Sequence, residues 1–307
     1  MLVVDSVTKS FGLTKAVRDV SFTVSPGQVV GMLGPNGAGK TTTMRLIVGY
    51  LSPDSGSISL DGVSVEEKPV EVRKKIGYLP ENNPLYSELL VSEALYSSGQ
   101  LKGMNQSQID QSLDFVVPAT GLAEVYHRPT RELSKGYRQR LGIAMALVHQ
   151  PDVLILDEPT EGLDPNQRNE IRALLRTLAK NKTVIISTHV LQEVSALCDR
   201  IIIINQGKIV TDQKTSTLTK SKEAVFQVVL EGEGLLALLR QDARLTILSS
   251  QSKQKKLVTT LASKGKVAIP KVLSELQQKK HFTIWSLQET TTNLEEVFLS
   301  VTKEETL

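Results

Sequence analysis

Cysteine is almost missing from this chain: Cys198 is the only one in 307 residues. No intramolecular disulfide can form, and the composition suits a reducing cytosol. Long apolar runs are missing too, with nothing near the roughly 20 residues needed to cross a bilayer. The start, Met1 to Asp5, lacks the basic region and apolar core expected of a signal peptide. Charge of one sign is scarce: 36 Lys and Arg stand against 33 Asp and Glu, a net +3, which gives no reason to expect nucleic acid. Any work at a membrane therefore falls to a partner. The length allows about two domains, each with its own core.

What is present in strength is the stretch Gly34 to Thr41, which fits G-x-x-x-x-G-K-[ST]. Apolar Val29 to Leu33 reads as a strand before it, and Lys40 to Val48 as a helix after it. Gly34, Gly37 and Gly39 let the chain bend with its amides inward, so amides and helix N-terminus can cradle a triphosphate. Pro35, Asn36 and Ala38 complete this nucleotide-binding loop. Lys40 is placed to reach the terminal phosphates, and Thr41 to give its hydroxyl to Mg²⁺. A chance glycine-rich turn is the alternative, and the flanking strand and helix weigh against it.

Residues 2 to 30 alternate as strands do, and Ser25-Pro-Gly closes them. Phe11 falls in a turn-like stretch, where it could stack on an adenine ring or pack in the core. Ile58 to Val65 reads as strand with Asp61-Gly as its turn, then helix from Val70 and strand Lys75 to Leu79. Pro80 and Pro84 bracket Glu81, and Leu90 to Gln150 reads as helices punctuated by Pro118, Gly121 and Pro129.

Val153 to Leu156 puts four apolar residues ahead of Asp157 and Glu158, as expected of a strand buried on both faces and ending at a ligand edge. Asp157 could hold Mg²⁺ through water, and Glu158 could polarise the water that attacks a terminal phosphate. Alone, such a pair before a proline is as readily a turn. After a helix from Asn166 to Ala179, strand Thr183 to Ser187 ends at Thr188 and His189, a lone histidine that is more often structural. Leu191 to Leu197 reads as a short helix, and Ile201 to Asn205 and Lys208 to Thr211 as closing strands.

Leu133-Ser-Lys-Gly-Tyr-Arg-Gln-Arg, ahead of Asp157 and Glu158, resembles the signature of ATP-binding cassette (ABC) proteins. With the phosphate loop, Pro80-Glu81, Glu161-Gly-Leu-Asp164 and Thr188-His189 in the family's order, the resemblance covers Leu2 to Thr211. It implies ATP and Mg²⁺ as ligands. Phe11 then matches the adenine-stacking aromatic, and Lys40, Thr41 and Thr42 the phosphate and Mg²⁺ contacts. Asp157 matches the magnesium-organising carboxylate, Glu158 the general base, His189 the switch histidine, and Asp164 the loop that signals between sites. Ser134 and Gly136 would bind the terminal phosphate of ATP held by a second ATPase subunit, so a homodimer completes two sites. Two departures stand out. Lys135 and Tyr137 replace the third and fifth residues of Leu-Ser-Gly-Gly-Gln, and Glu81 stands where glutamine is usual, as a metal ligand that cannot donate when ionised.

The expected fold is α/β: a phosphate-loop ABC ATPase core over 1–215 with a helical subdomain at about 84–150, and a small α+β ferredoxin-like domain over 216–307. The second region reads β-α-β-β-α-β: Ala224 to Leu230, Glu233 to Arg240, Leu245 to Leu248, Lys256 to Leu261, Pro270 to Gln278 and Phe282 to Leu287. A helix from Asn293 to Val301 is added to that pattern. Its lysines (253, 255, 256, 264, 266, 271, 279 and 280) read as a solvated face, or as a contact for anionic lipid or an acidic partner. Such an extension resembles that of bacterial exporter ATPases, and Gly77 to Tyr86 is similar to those linked to gliding motility. The resemblance implies an ATPase at the inner face of the cell membrane, driving an integral membrane permease on another chain. A soluble ABC ATPase acting on ribosomes or DNA is the rival. One cassette without sustained heptads argues against it, and a scaffold without hydrolysis is disfavoured by Glu158 and His189.

Overall fold

The computed structural model describes residues 1–179, 182–190, 194, 197–218, 225–253, 256–263 and 267–290. The chain divides into two compact units, Met1–Lys214 and Thr215–Leu307.

The first unit begins with β1 (Leu2–Phe11) and β2 (Thr14–Val24), an antiparallel hairpin whose sheet is extended by β4 (Ser55–Leu60) and β5 (Val63–Ser64) in the order β2-β1-β4-β5. Asp61 and Gly62 make the β4–β5 turn with φ of 52° and 77°, the positive pair that two-residue hairpins require. A second sheet takes β3 (Val29–Leu33), β6 (Ile76–Leu79), β7 (Val153–Asp157), β8 (Thr183–Thr188), β9 (Arg200–Asn205) and β10 (Lys208–Lys214). Its order is β10-β9-β3-β8-β7-β6, parallel throughout except at β10. Every residue of β3, β7 and β8 is buried, which is why Val29 to Leu33, Val153 to Leu156 and Val184 to Ile186 read as runs without charge or polar side chains. Met32, Ile155, Ile185 and Ile202 meet Val4, Val20 and Ile58 of the first sheet in one core around α1 (Lys40–Ile47). Each such side chain contributes about 1.5–3 kcal/mol when fully buried.

α2 (Pro69–Lys75) leads into β6, and the helical stretch consists of α3 (Val91–Leu101), α4 (Gln106–Thr120) and α5 (Lys135–Leu147). Pro118 does not punctuate as expected but lies inside α4, three residues before the left-handed Gly121 that ends it. Its missing N–H forgoes the helical hydrogen bond to the carbonyl four residues earlier, and the helix ends within the next turn. Phe11 also differs from its expected place: it is the last residue of β1, paired with Thr14, and 50% exposed, so it is not a core residue. α6 (Pro165–Ala179) follows β7. Most of the helix expected at Leu191 to Leu197 lies outside the described residues.

The second unit runs α7 (Thr215–Leu218), β11 (Val225–Glu231), α8 (Leu235–Gln241), β12 (Leu245–Lys253), β13 (Lys256–Ser263), α9 (Ile269–Lys279) and β14 (Thr283–Thr290). The sheet order β12-β13-β11-β14 is antiparallel at every pairing, the arrangement that a split β-α-β-β-α-β chain makes. Leu235, Leu239, Val272, Leu273 and Leu276 of the helices pack on Val228, Leu230 and Leu261 of the sheet. β12 extends five residues beyond its expected end, because backbone pairing with β13 carries the polar run Ser249 to Lys253. Lys256 is not simply solvated: its ammonium lies 3.8 Å from the Trp285 ring centroid. The expected helix Asn293 to Val301 and Lys255, Lys264 and Lys266 lie outside the described residues.

Candidate functional site

The carboxyl ends of β3, β8 and β7, adjacent in the sheet, converge on one place. From β3 the chain turns through Gly34 to Gly39 into α1. Gly39 has φ of 106° and caps the helix without any side chain, leaving the first amides free to face a ligand. Lys40 is 6% exposed and donates from Nζ to the carbonyls of Gly34 at 2.8 Å and Pro35 at 3.2 Å. The same ammonium lies 3.5 Å from Glu158 Oε1.

Glu158 follows β7 with φ of 48°, a left-handed conformation that costs a non-glycine residue about 1–3 kcal/mol. Its carboxyl is buried, with Oε2 3.0 Å from Nδ1 of His189, which stands beyond the end of β8. Burial pushes the Glu158 carboxyl above the ordinary glutamate range, and Lys40 and His189 offset part of that rise. The β7–β8 register puts Asp157 opposite Ser187. Ser187 Oγ donates to Asp157 Oδ1 and accepts the Glu158 N–H at 2.9 Å, so one hydroxyl ties both carboxylate residues. Sequence reasoning missed Ser187; its only signal was its place one residue before Thr188 and His189.

Asp157 is fully buried, and among the described residues its Oδ2 has no hydrogen-bond partner. Burial, reinforced by this carboxylate, pushes the neighbouring Tyr78 hydroxyl up to about 12. An orphaned carboxylate oxygen suits a hard divalent cation or one of its waters. Among the described residues no group of three or more His, Cys, Asp or Glu side chains could hold a metal alone. A magnesium ion here would therefore keep water and phosphate ligands, as magnesium usually does.

A cavity of about 450 Å³ is walled by Ala16, by Asn36 to Thr42, and by Glu81, Glu158 and Glu161. A second, of about 800 Å³, shares Glu81, Glu158 and Glu161 and adds Lys135, Gly162 and His189. Glu161 was expected only as part of a motif; its place in both cavities was not. Ser134, Gly136 and Gln167 line a third cavity, of about 380 Å³. Ser134 caps α5, accepting the Tyr137 N–H at 3.3 Å, and Asp164 caps α6, accepting the Gln167 N–H at 2.9 Å. One chain thus brings together the phosphate loop, Glu81, Glu158 and His189. Phe11, Ser134, Gly136 and Asp164 do not line the cavity of the phosphate loop.

The family profile described as ABC transporter matches residues 17–161. The linearmycin resistance ATP-binding protein LnrL of Bacillus subtilis (strain 168) is 33% identical over 98% of this chain and 98% of its own. The chain is an ABC transporter ATP-binding subunit. A Nod factor export ATP-binding protein I of Paraburkholderia xenovorans (strain LB400) is 37% identical to this subunit over 76% of the chain, covering 77% of the relative. Among solved structures, a dimeric post-hydrolysis ATP-binding cassette bound to ADP and Pi is 25% identical to it, with a TM-score of 0.65 over 70% of this chain and 99% of that one. The subunit is accordingly an ATPase with the ABC cassette fold. The names of these relatives say nothing of gliding motility. No helix among the described residues is long and apolar enough to cross a membrane.

Proposed function

We propose that this ABC ATPase works as a homodimer closing on two ATP molecules, each held between the phosphate loop of one protomer and Ser134 and Gly136 of the other. The observation that carries this reading is the division of the site. Lys40, Glu158 and His189 are linked by contacts of 3.5 and 3.0 Å, while Ser134 and Gly136 line a different cavity of the same chain. A single protomer therefore offers two unlike half-sites.

In the closed dimer the amides of the loop and Lys40 hold the phosphates, and Phe11, half exposed at its strand end, offers a face to adenine. Glu158 accepts a hydrogen bond from the attacking water and draws its proton as the water's oxygen bonds to the terminal phosphorus. The bond from that phosphorus to the ADP oxygen breaks, releasing ADP and phosphate. His189, against Glu158, contacts the terminal phosphate. Thr41, Asp157 and Glu81 are the residues that would hold Mg²⁺, directly or through water. When bound, Mg²⁺ would supply positive charge that offsets the negative charge of the phosphates. The Glu81→Gln variant is expected to need more Mg²⁺ for half-maximal turnover, because an amide oxygen is a weaker magnesium ligand than a carboxylate. Titrating Mg²⁺ against ATPase rate checks this, and identical curves would remove any special role for the carboxylate.

Closure reaches an integral membrane permease on a separate chain through the Glu81 segment, with the ATPase peripheral on the cytoplasmic face and export as the direction. Beside that segment lies a mostly apolar groove of about 410 Å³, walled by Tyr50, Leu51, Tyr78, Pro80 and Pro84. Tyr50 is 59% exposed, an aromatic poised for a partner. Tagged Glu158→Gln protein, purified from gently solubilised cells with ATP, should bring down a membrane protein in stoichiometric amount. Adding Tyr50→Glu should reduce its recovery by about tenfold or more, as for loss of an aromatic anchor. Ribosomes or DNA factors without a membrane protein would move the assignment to a soluble ABC ATPase.

A further inference from the structure

Lys135 occupies the signature position where glycine is common, and its side chain goes where glycine could not. From the first turn of α5 it crosses to the loop between β7 and α6. There its Nζ lies so close to Gly162 that a β-carbon on that residue would collide with it. Two more contacts join the same elements. A β-carbon on Gly136 would stand 2.9 Å from the Gln167 amide carbon, and Arg140 pairs with Glu170 at 2.6 Å. All three tie α5 to the stretch 162–170, which follows Glu158 closely and contains Asp164. Lys135 also walls the 800 Å³ cavity that holds Glu158, Glu161 and His189.

We propose that Lys135 is a positioning residue for hydrolysis, bracing the β7–α6 loop against α5 within one chain. The proposal rests on the two-ATP dimer described above. In that dimer α5 presents Ser134 and Gly136 to ATP held by the partner, while the braced loop follows the chain's own Glu158. A displacement of the start of α5 on meeting the partner's ATP is passed through Lys135 to Gly162, and so to the loop that follows the general base. Each site's hydrolytic geometry then depends on whether the other is filled. A glycine at this position would remove the Lys135 contact and leave those of Gln167 and Glu170 in place.

The test compares the full chain with Lys135→Gly, Lys135→Arg, Gly162→Ala and the Lys135→Gly/Gly162→Ala double variant. Lys135→Gly is expected to lower kcat about tenfold, the scale of a small misplacement at a reacting centre. KM for ATP should stay within about twofold, the mark of an interaction made in the transition state rather than on binding. Lys135→Arg should recover most of the rate, since it keeps the charge and the reach. Gly162→Ala, whose β-carbon displaces the ammonium and also meets a φ of 65° that L side chains rarely adopt, should fall at least as far, and the double variant should be no slower than the slower single one. ATP-driven dimerisation, measured in a Glu158→Gln background, should be unaffected by Lys135→Gly.

An unchanged kcat in Lys135→Gly would overturn the proposal, as would losses that multiply in the double variant. A loss found wholly in dimerisation would overturn it too, placing the ammonium on the partner's phosphate instead. A fall in melting temperature that tracks the loss of rate would reduce Lys135 to a structural role. If the unsubstituted chain neither hydrolyses ATP nor dimerises with it, the dimer reading fails and takes this proposal with it. Normal behaviour of Lys135→Gly beside an active parent fails the proposal alone.

Discussion

Glu158→Gln is expected to bind ATP nearly as well as the parent chain and to turn it over at least about a hundredfold more slowly, within the range general bases supply. The amide keeps the shape of the carboxyl, so the cavity wall is preserved, but it cannot draw a proton from water. The substitution is also gentle on the fold. Burial already raises the carboxyl's pKa, so its charged form is held at a penalty that a neutral amide does not share. Lys40 loses one partner and keeps the carbonyls of Gly34 and Pro35. Equilibrium binding and phosphate release measured on the same preparation separate the two effects. A variant that hydrolyses at the parental rate would remove Glu158 as the base.

Acidity gives the same assignment a second readout. The base must be ionised to work, and the ionised form is disfavoured by burial. Turnover of the parent chain should therefore fall on acidification at a higher pH than an ordinary glutamate would give. The residual rate of Glu158→Gln should lack that step.

The second large effect is expected at Gly39. Two independent constraints meet there: φ is 106°, which L side chains rarely adopt, and a β-carbon would run into the Ala16 carbonyl oxygen. Gly39→Ala should lower stability by about 2–4 kcal/mol, combining overpacking with backbone strain. ATP binding should fall with it, because relief requires the start of α1 to move. Gly37→Ala is the control. Its φ is 80°, but no atom stands within 4 Å of the added carbon, so only the backbone contribution of about 1–2 kcal/mol remains. Denaturant midpoints and nucleotide titrations of both variants test this; equal losses at the two sites would show that crowding by β2 is not what fixes Gly39.

The parts of the fold that were legible are those where one physical demand dominates. β7 could be read because a strand buried on both faces favours an apolar run, here Val153 to Leu156, and its end because Asp157 and Glu158 break that run. The phosphate loop was legible because its glycines answer a backbone need visible in the sequence. Sheet partnership was not. That Ser187 faces Asp157 depends on the register of β7 on β8, and nothing in either strand encodes it locally. Lys135 could be seen as a departure from a motif, but its contact with Gly162 spans two elements and needs the packing of α5 on α6. Polar Ser249 to Lys253 reads as loop, yet backbone pairing to β13 holds it as strand. Phe11 at a strand end, half exposed, satisfied neither the turn reading nor the core reading.

Ser187 has a consequence for when order is acquired. By donating to Asp157 and accepting from the Glu158 amide, it fixes both residues through hydrogen bonds internal to the chain. Conformational entropy at the ends of β7 and β8 is thus surrendered during folding, not during each catalytic cycle. In the proposed site, ATP would meet carboxylates that are preorganised, with little of its binding energy spent on arranging them. That energy would be left for the larger movement of one protomer towards the other in the proposed dimer.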